Sequence, residues 1–308
     1  MTKTIILFFI LFFSFESFSE NIQKADTNLI RTELKELTKT NKSRNYRNLD
    51  QLNSTAIYIK NIFQKHADSV YFQDYKVDGR TYRNVVCAFG IKNKERIIVG
   101  AHYDVCGEQE GADDNASGVV GLLELARMLK GVPLTKRFEL VAYTLEEPPY
   151  FRTENMGSYI HAKSLVDEQA NVVGMISLEM IGFFSDAADS QEYPLKILRL
   201  FYGHRGNYIT LAKKNGAGKF ARRFTKIFQS KKQIRTKKFT APAGLPGIDF
   251  SDHLNYWKFG FSTLMITDTA FYRNRNYHQT TDVMETLNIP KMAQVIDGVY
   301  LSLLEFGK

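Results

Sequence analysis

The chain has 308 residues, of which 44% are hydrophobic and 24% charged, and its formal net charge is +8. Those proportions exclude an intrinsically disordered, collagen-like or cysteine-stapled chain, and the length suits one large α/β domain with a single core. A basic balance favours acidic surfaces and substrates, but it names no partner without a focused patch.

The first element is "MTK" followed by the apolar run "IILFFILFF" and then "SFESFSE". A short positive start, an apolar stretch too short to span a bilayer and small residues around Ser19 predict a signal peptide over residues 1–19. The expected mature protein is therefore secreted or periplasmic, with no stable membrane association after cleavage. Residues 20–308 are expected to form one domain, with N-terminal helices at about 27–68 and a catalytic core at about 69–308.

Apolar residues at helical spacing predict helices over 28–40 and 53–67, and "RTELKELTKTNKSRNYRN" reads as mostly surface. "SVYFQDYKV" and "RTYRNVVCAFG" read as strands around a "VDG" turn. "RIIVGAHYD" predicts a central strand that delivers side chains at its C-terminal end. "ASGVVGLLELARMLKG" is helical, with Asn115 as N-cap and Gly131 as stop. "RFELVAYTLEE" predicts a strand closed by Pro148 and Pro149; "MGSYIHAKSLVDE" is a helix and "VVGMISLEMIG" a further strand. This alternation predicts an α/β fold: a mixed, mostly parallel central sheet with helices on both faces, in three layers.

Residues 213–238 carry eleven Lys and Arg and no acid. The aromatics there fall at helical spacing, so the stretch reads as the solvated face of a helix such as "KFARRFTKIF", and no nucleic-acid partner is expected. The two cysteines, Cys87 and Cys106, read as a buried thiol and a loop thiol. Proximity for a disulfide is not readable from sequence.

Three predicted strands end in groups that bind metals: His102 and Asp104, then Glu146 and Glu147, then Glu179. The loop "GADDNASG" adds Asp113 and Asp114, and the C-terminal region adds "SDH" (251–253) and "YHQTTD" (277–282). A set rich in carboxylate and imidazole suits Zn²⁺, with Mn²⁺ or Co²⁺ as poorer matches. Residues two apart on a strand share a face, so Asp104 can reach the far nitrogen of His102. Adjacent strand residues diverge, so one of Glu146 and Glu147 can ligate while the other meets a water as general base. His66, His161 and His204 read as packing or surface residues, whereas His253 in "SDH" is expected to line or support the site.

"HYD", "GADDNASG", "LEEPP" with "TENMGS", "SLEMIG", "SDH" and "YHQTTDVMETLN", in this order from about Ile97 to Leu287, resemble metallopeptidase family 28, the co-catalytic zinc aminopeptidases of the bacterial leucyl aminopeptidase type. The resemblance implies two zinc ions per chain. His102 and Glu179 would hold one, Glu147 and His278 the other, and Asp114 would bridge them. Glu146 would be the general base, with Asp104, Asp252 and His253 in support. Asp113 is expected to shape the loop and to be expendable by comparison, and the Asp114–Asn115 peptide is expected to be cis. The departure from the family pattern is "LEEPPYFRTENMGS", whose prolines and aromatics would reshape the rim near the substrate.

The implied function is an exported aminopeptidase that removes N-terminal residues from peptides or small amino-acid derivatives, through a water activated by the two metals. The alternatives are a glutaminyl-peptide cyclotransferase with one working zinc, and a non-catalytic interaction domain; the intact ligand set argues against the latter. Neither the preferred first residue nor the oligomeric state is legible.

Overall fold

Asp26 opens the fold: its Oδ1 accepts hydrogen bonds from the N–H groups of Asn28 (2.8 Å) and Leu29 (3.3 Å), satisfying two donors that helix α1 (Thr27–Thr38) leaves free. The structure is a computed structural model describing residues 23–307, so the signal-peptide reading at 1–19 lies outside the described residues. Helix α1 buries Ile30, Leu34 and Leu37, and α2 (Leu49–Gln64) buries Leu52, Ala56, Ile59 and Phe63, each at the three- and four-residue spacing that makes one apolar stripe.

The polar stretch from Arg31 to Asn48 is mostly surface, as expected, but not at Arg44. Arg44 is 1% exposed. Its guanidinium donates to the carbonyls of Leu37, Tyr103, Glu110 and Gly111. A buried cation needs such a set of acceptors, and a one-dimensional pattern does not reveal where they come from.

Strands β1 (Ser69–Val77) and β2 (Arg80–Phe89) pair antiparallel. Their link is Asp78 and Gly79, both at positive φ (49° and 75°), as a two-residue hairpin turn requires. Then follow β3 (Glu95–His102), α3 (Gly118–Leu129), β4 (Arg137–Tyr143), α4 (Gly157–Asp167) and β5 (Asn171–Glu179). The chain continues through α5 (Leu198–Tyr202), β6 (Ile209–Lys214), α6 (Gly218–Lys231), β7 (Thr236–Ala241), α7 (His253–Lys258), β8 (Thr263–Thr267) and α8 (Ile289–Gly307). The sequence reading placed no element at α5, β6, β7, β8 or α8. The spacing of Met292, Val295, Ile296, Val299, Leu303 and Phe306, all buried, would have revealed α8.

The sheet order is β1-β2-β4-β3-β5-β8-β6-β7. β4, β3, β5 and β8 run parallel in its centre, as do β6 and β7 with each other, while β1/β2, β2/β4 and β6/β8 are antiparallel. The fold is thus the mixed, mostly parallel α/β sheet that was expected. Ile97, Val99 and Ala101 of β3 face a core shared with α1, α2, α3, α6 and α8; Ile98 faces a second core with Tyr143, Ala162, Leu165 and Tyr256. Strands covered on both faces need near-continuous apolar sequence, which "RIIVGA" supplies. Gly100 is required by close approach: a Cβ there would lie 2.2 Å from the Tyr143 ring.

Helix α6 fits the basic stretch as read: Phe220, Phe224, Ile227 and Phe228 are buried while Lys219, Arg222, Arg223 and Lys226 are exposed. No helix among the described residues is long and apolar enough to cross a membrane.

Candidate metal centre

The four central parallel strands end on the same side of the sheet, and side chains delivered there converge. His102 is the last residue of β3 and Glu179 the last of β5. Glu146 and Glu147 are not the strand end that was expected. β4 stops at Tyr143, and Leu145 takes a positive φ of 59° that turns the chain away from the ladder. The two glutamates diverge because of this turn rather than because of strand alternation. Glu147 reaches towards His278, and Glu146 Oε2 lies 3.9 Å from His102 Nε2.

Asp114 comes from the irregular turn that feeds α3, with backbone angles outside the helical region at Asp114 (−101°, 91°) and Asn115 (−132°, 37°). The Asp114–Asn115 peptide is cis, as the resemblance implied. Asn115 fixes this turn against β5: its Nδ2 donates to the Leu178 carbonyl (2.9 Å), and its Oδ1 accepts from Met180 N (3.0 Å) and Gly118 N (3.2 Å). The last bond is the expected capping of α3. Asp282 grips the turn from the other side, its two oxygens accepting from the N–H groups of Asp113 (2.9 Å) and Asp114 (3.0 Å).

Asp114 therefore stands between two imidazoles. His102 Nε2 lies 3.4 Å from its Oδ1, and His278 Nε2 lies 3.2 Å from its Oδ2. On one side Glu179 Oε2 is 3.5 Å from His102 Nε2; on the other Glu147 Oε2 is 3.2 Å from His278 Nε2. The five residues the resemblance named thus lie together around Asp114, and the tightest three-donor clusters are His102, Asp114 and Glu147 on one side and Cys106, Glu147 and His278 on the other. Asp114 Oδ2, Glu147 Oε1 and His278 Nε2 have no hydrogen-bond partner among the described residues although each is buried. Unpaired buried polar atoms are costly, and donor atoms converging without hydrogen bonds fit cations.

The electrostatics point the same way. Burial, with the neighbouring carboxylates, pushes Glu146 and Glu179 above the usual carboxylate range and Glu147 up to about 7. Burial acts on Asp114 too, but the imidazoles of His102 and His278 beside it outweigh burial and hold that carboxylate low. Burial likewise opposes the charged form of His278, yet Asp114 and Glu147 raise its pKa to about 10. Four acids against two imidazoles leave an anionic excess that divalent ions would neutralise.

The supporting residues are distributed differently from expectation. Asp104 lies near His102, Oδ1 to Nδ1 at 3.6 Å, but its closer contact there is through its backbone oxygen at 3.2 Å. The Asp104 carboxylate instead accepts from the N–H groups of Glu146 (3.2 Å) and Glu147 (3.1 Å), so it positions the two glutamates. His253 does not support the centre directly: its Nε2 meets the Ile248 carbonyl (2.8 Å) and its ring packs on Trp257. Asp252 is fully buried close by, and burial pushes its carboxyl up to about 7. The residue of "SDH" that touches a candidate ligand is Ser251, whose Oγ donates to Glu179 Oε2 (2.8 Å) and also meets Ser177 Oγ (2.7 Å).

Ser251 and Asp282 are the supports that sequence reasoning did not single out, although both sit inside motifs it quoted. Ser251→Ala is expected to weaken metal binding by about 10-fold or more, the usual cost of losing a contact that orients a ligand. Equilibrium dialysis against buffered Zn²⁺ would measure this, and unchanged affinity would remove Ser251 from the site. Asp113 is buried as well, its Oδ1 accepting from Gly182 N (3.0 Å) and its Oδ2 from Asn274 Nδ2 (2.8 Å). It shapes the loop as expected.

A cavity over the centre is lined by Pro148, Phe151, Phe250 and Tyr277, with Glu146 and the candidate ligands Asp114, Glu147, Glu179 and His278. Of "LEEPPYF", Pro148 and Phe151 form part of this rim, whereas Tyr150 packs away from it against Tyr46 and Tyr82. A second, apolar cavity adjoins it through Glu179 and Phe250; Tyr193, Tyr202, Tyr208, Phe239, Phe271 and Ala212 are among its walls.

The sequence profile described as Peptidase family M28 matches residues 84–302, well over half of the chain. Uncharacterized protein YfbL of Escherichia coli (strain K12) is 44% identical over 272 residues, covering 85% of this chain and 83% of that protein. Among solved structures, LapB from Legionella pneumophila superposes with a TM-score of 0.73 at 22% identity, over 92% of this chain and 72% of its own. A glutaminyl cyclase from Bacteroides thetaiotaomicron gives 0.69 at 17% identity, over 91% of this chain and 98% of its own. At such identities the two structures establish a shared fold.

Proposed function

This chain belongs to peptidase family M28, and from that premise we propose that it is an exported, two-zinc aminopeptidase acting on peptides or small amino-acid derivatives. The observation that carries the proposal is the placing of the Asp114 carboxylate between the His102 and His278 imidazoles, with Glu146 beside them. His102, Asp114 and Glu179 would hold one ion, and Glu147, Asp114 and His278 the other. Bound zinc supplies a Lewis acid for the substrate carbonyl and lowers the pKa of water.

The chain's own groups do the rest. Glu146 accepts a proton as water adds to the carbonyl carbon, then delivers it to the leaving amine as the C–N bond breaks. Asp104 keeps the backbone of both glutamates in place for that exchange. The rim of Pro148, Phe151, Phe250 and Tyr277 excludes bulk water from the reacting groups. The adjoining aromatic cavity would take the side chain of the first residue, which favours a large apolar one.

Ala212→Phe, which narrows that cavity, is expected to lower kcat/KM for leucyl or phenylalanyl anilides by about 10–200-fold, the range of apolar pocket discrimination. Alanyl anilide should be cleaved nearly as before; equal losses on all three would rule the cavity out as the specificity pocket.

A panel of aminoacyl-anilides and N-blocked peptides, assayed with a chelator and after adding back Zn²⁺, tests the whole reading. Zinc-dependent cleavage of free N-termini alone supports it. Cleavage of blocked peptides would end the exopeptidase assignment. Pyroglutamate formation from N-terminal glutamine, without hydrolysis, would replace it with the glutaminyl-peptide cyclotransferase reading. Fractionation of cells producing the full chain tests export.

A further inference from the structure

Cys106 was expected to be an ordinary loop thiol, and the structure instead sets it beside the metal centre. Its Sγ, a nitrogen of His278 and a carboxylate oxygen of Glu147 all lie within 4.8 Å of one another. The half-buried thiol is free. A second observation belongs to Glu147: its side chain is 5% exposed, and its Oε1 is buried without a partner.

The loop that carries the thiol is held on both sides. Val105 N donates to the Arg44 carbonyl (3.1 Å), and Asn45 Nδ2 donates to the Gly107 carbonyl (2.9 Å). Beyond it, Arg44 holds the carbonyls of Glu110 and Gly111. The position of Sγ is therefore set by the fold.

We propose that Cys106 is a thiolate ligand of the ion held by Glu147 and His278, so that the two metal positions differ in kind. On binding, the metal–sulfur bond forms, the S–H bond breaks and the proton leaves to bulk water. One position then offers sulfur, nitrogen and oxygen; the other, at His102, Asp114 and Glu179, offers nitrogen and oxygen only. Thiolate favours zinc over harder ions, so the Cys106 position would keep its ion under mild chelation while the other empties first. The inference rests on the two-metal reading above and adds to it a ligand and an order of occupancy.

Cobalt(II) tests it, because only cobalt bound to sulfur gives an intense near-ultraviolet charge-transfer band. The apo form of the full protein is titrated with Co²⁺ while bound metal is counted. The band should grow with one of two bound ions and be missing in Cys106→Ser and Cys106→Ala. In those variants one ion should bind about 10-fold more weakly or worse, and the other as before.

A second measurement uses the unaltered chain. Cys87 is fully buried, so a disulfide reagent reads Cys106 alone, and saturating Zn²⁺ should block its labelling. Two cobalt ions bound without the band, or labelling unaffected by Zn²⁺, would overturn the Cys106 assignment while leaving the two-metal centre standing. No cobalt binding at all would overturn both.

Discussion

Glu146→Gln is expected to lower kcat by about 10²–10⁴-fold, the contribution of a positioned general base, while KM, metal content and folding stay near those of the unaltered protein. The Glu146 carboxylate lies beside the centre, 3.9 Å from His102 Nε2, without joining either donor group. Glutamine keeps its volume and its ability to hydrogen-bond, and the backbone N–H at this position is still held by Asp104. What glutamine cannot do is accept a proton. Parallel measurement of kcat, KM and metal per chain separates the roles. A variant with full kcat would eliminate Glu146 as the base. A variant that loses metal together with activity would make Glu146 a ligand instead.

Asp114→Asn should remove metal from both positions at once, with apparent affinity falling by about 100-fold or more for each ion, at or beyond the upper end of what outer contacts of a metal site cost. Asp114 lies 3.4 Å from His102 and 3.2 Å from His278, while Glu179 is 3.5 Å from the first and Glu147 is 3.2 Å from the second. Its backbone N–H is secured by Asp282, so the loop has reason to keep its shape. The contrast is with His278→Ala, which should empty one position and spare the other. Metal counted after dialysis against a buffered zinc series decides the matter; two ions retained at full affinity in the Asn variant would refute the shared-ligand role. Asp113, its neighbour in sequence, serves the fold instead, through Gly182 and Asn274.

These outcomes rest on features that were unevenly legible in the sequence. Donor type is a local property, so the motifs at strand ends and loops offered the candidates; it was the family resemblance that picked His102, Asp114, Glu147, Glu179 and His278 among them. The apolar run before His102 and the alternation of helix and strand sufficed for the sheet. β8, with five residues, and β6, with six, are too short for periodicity to resolve. The support of Glu179 by Ser251 rather than by His253 turns on which face of a short loop points inward. A motif of three adjacent polar residues leaves that open.

The sequence alone determined the family and the mostly parallel α/β sheet and offered a set of candidate donors, because periodicity and residue chemistry are carried within a few neighbouring positions. Only the tertiary structure decided where those candidate donors stand relative to one another. The sheet order brings β4, β3, β5 and β8 side by side, the positive φ at Leu145 swings Glu146 and Glu147 off their strand, and buried Arg44 helps fix the loop that sets Cys106 near His278. Each of these depends on distances between residues far apart in the chain, and such distances are settled by packing and by the pairing of buried polar groups.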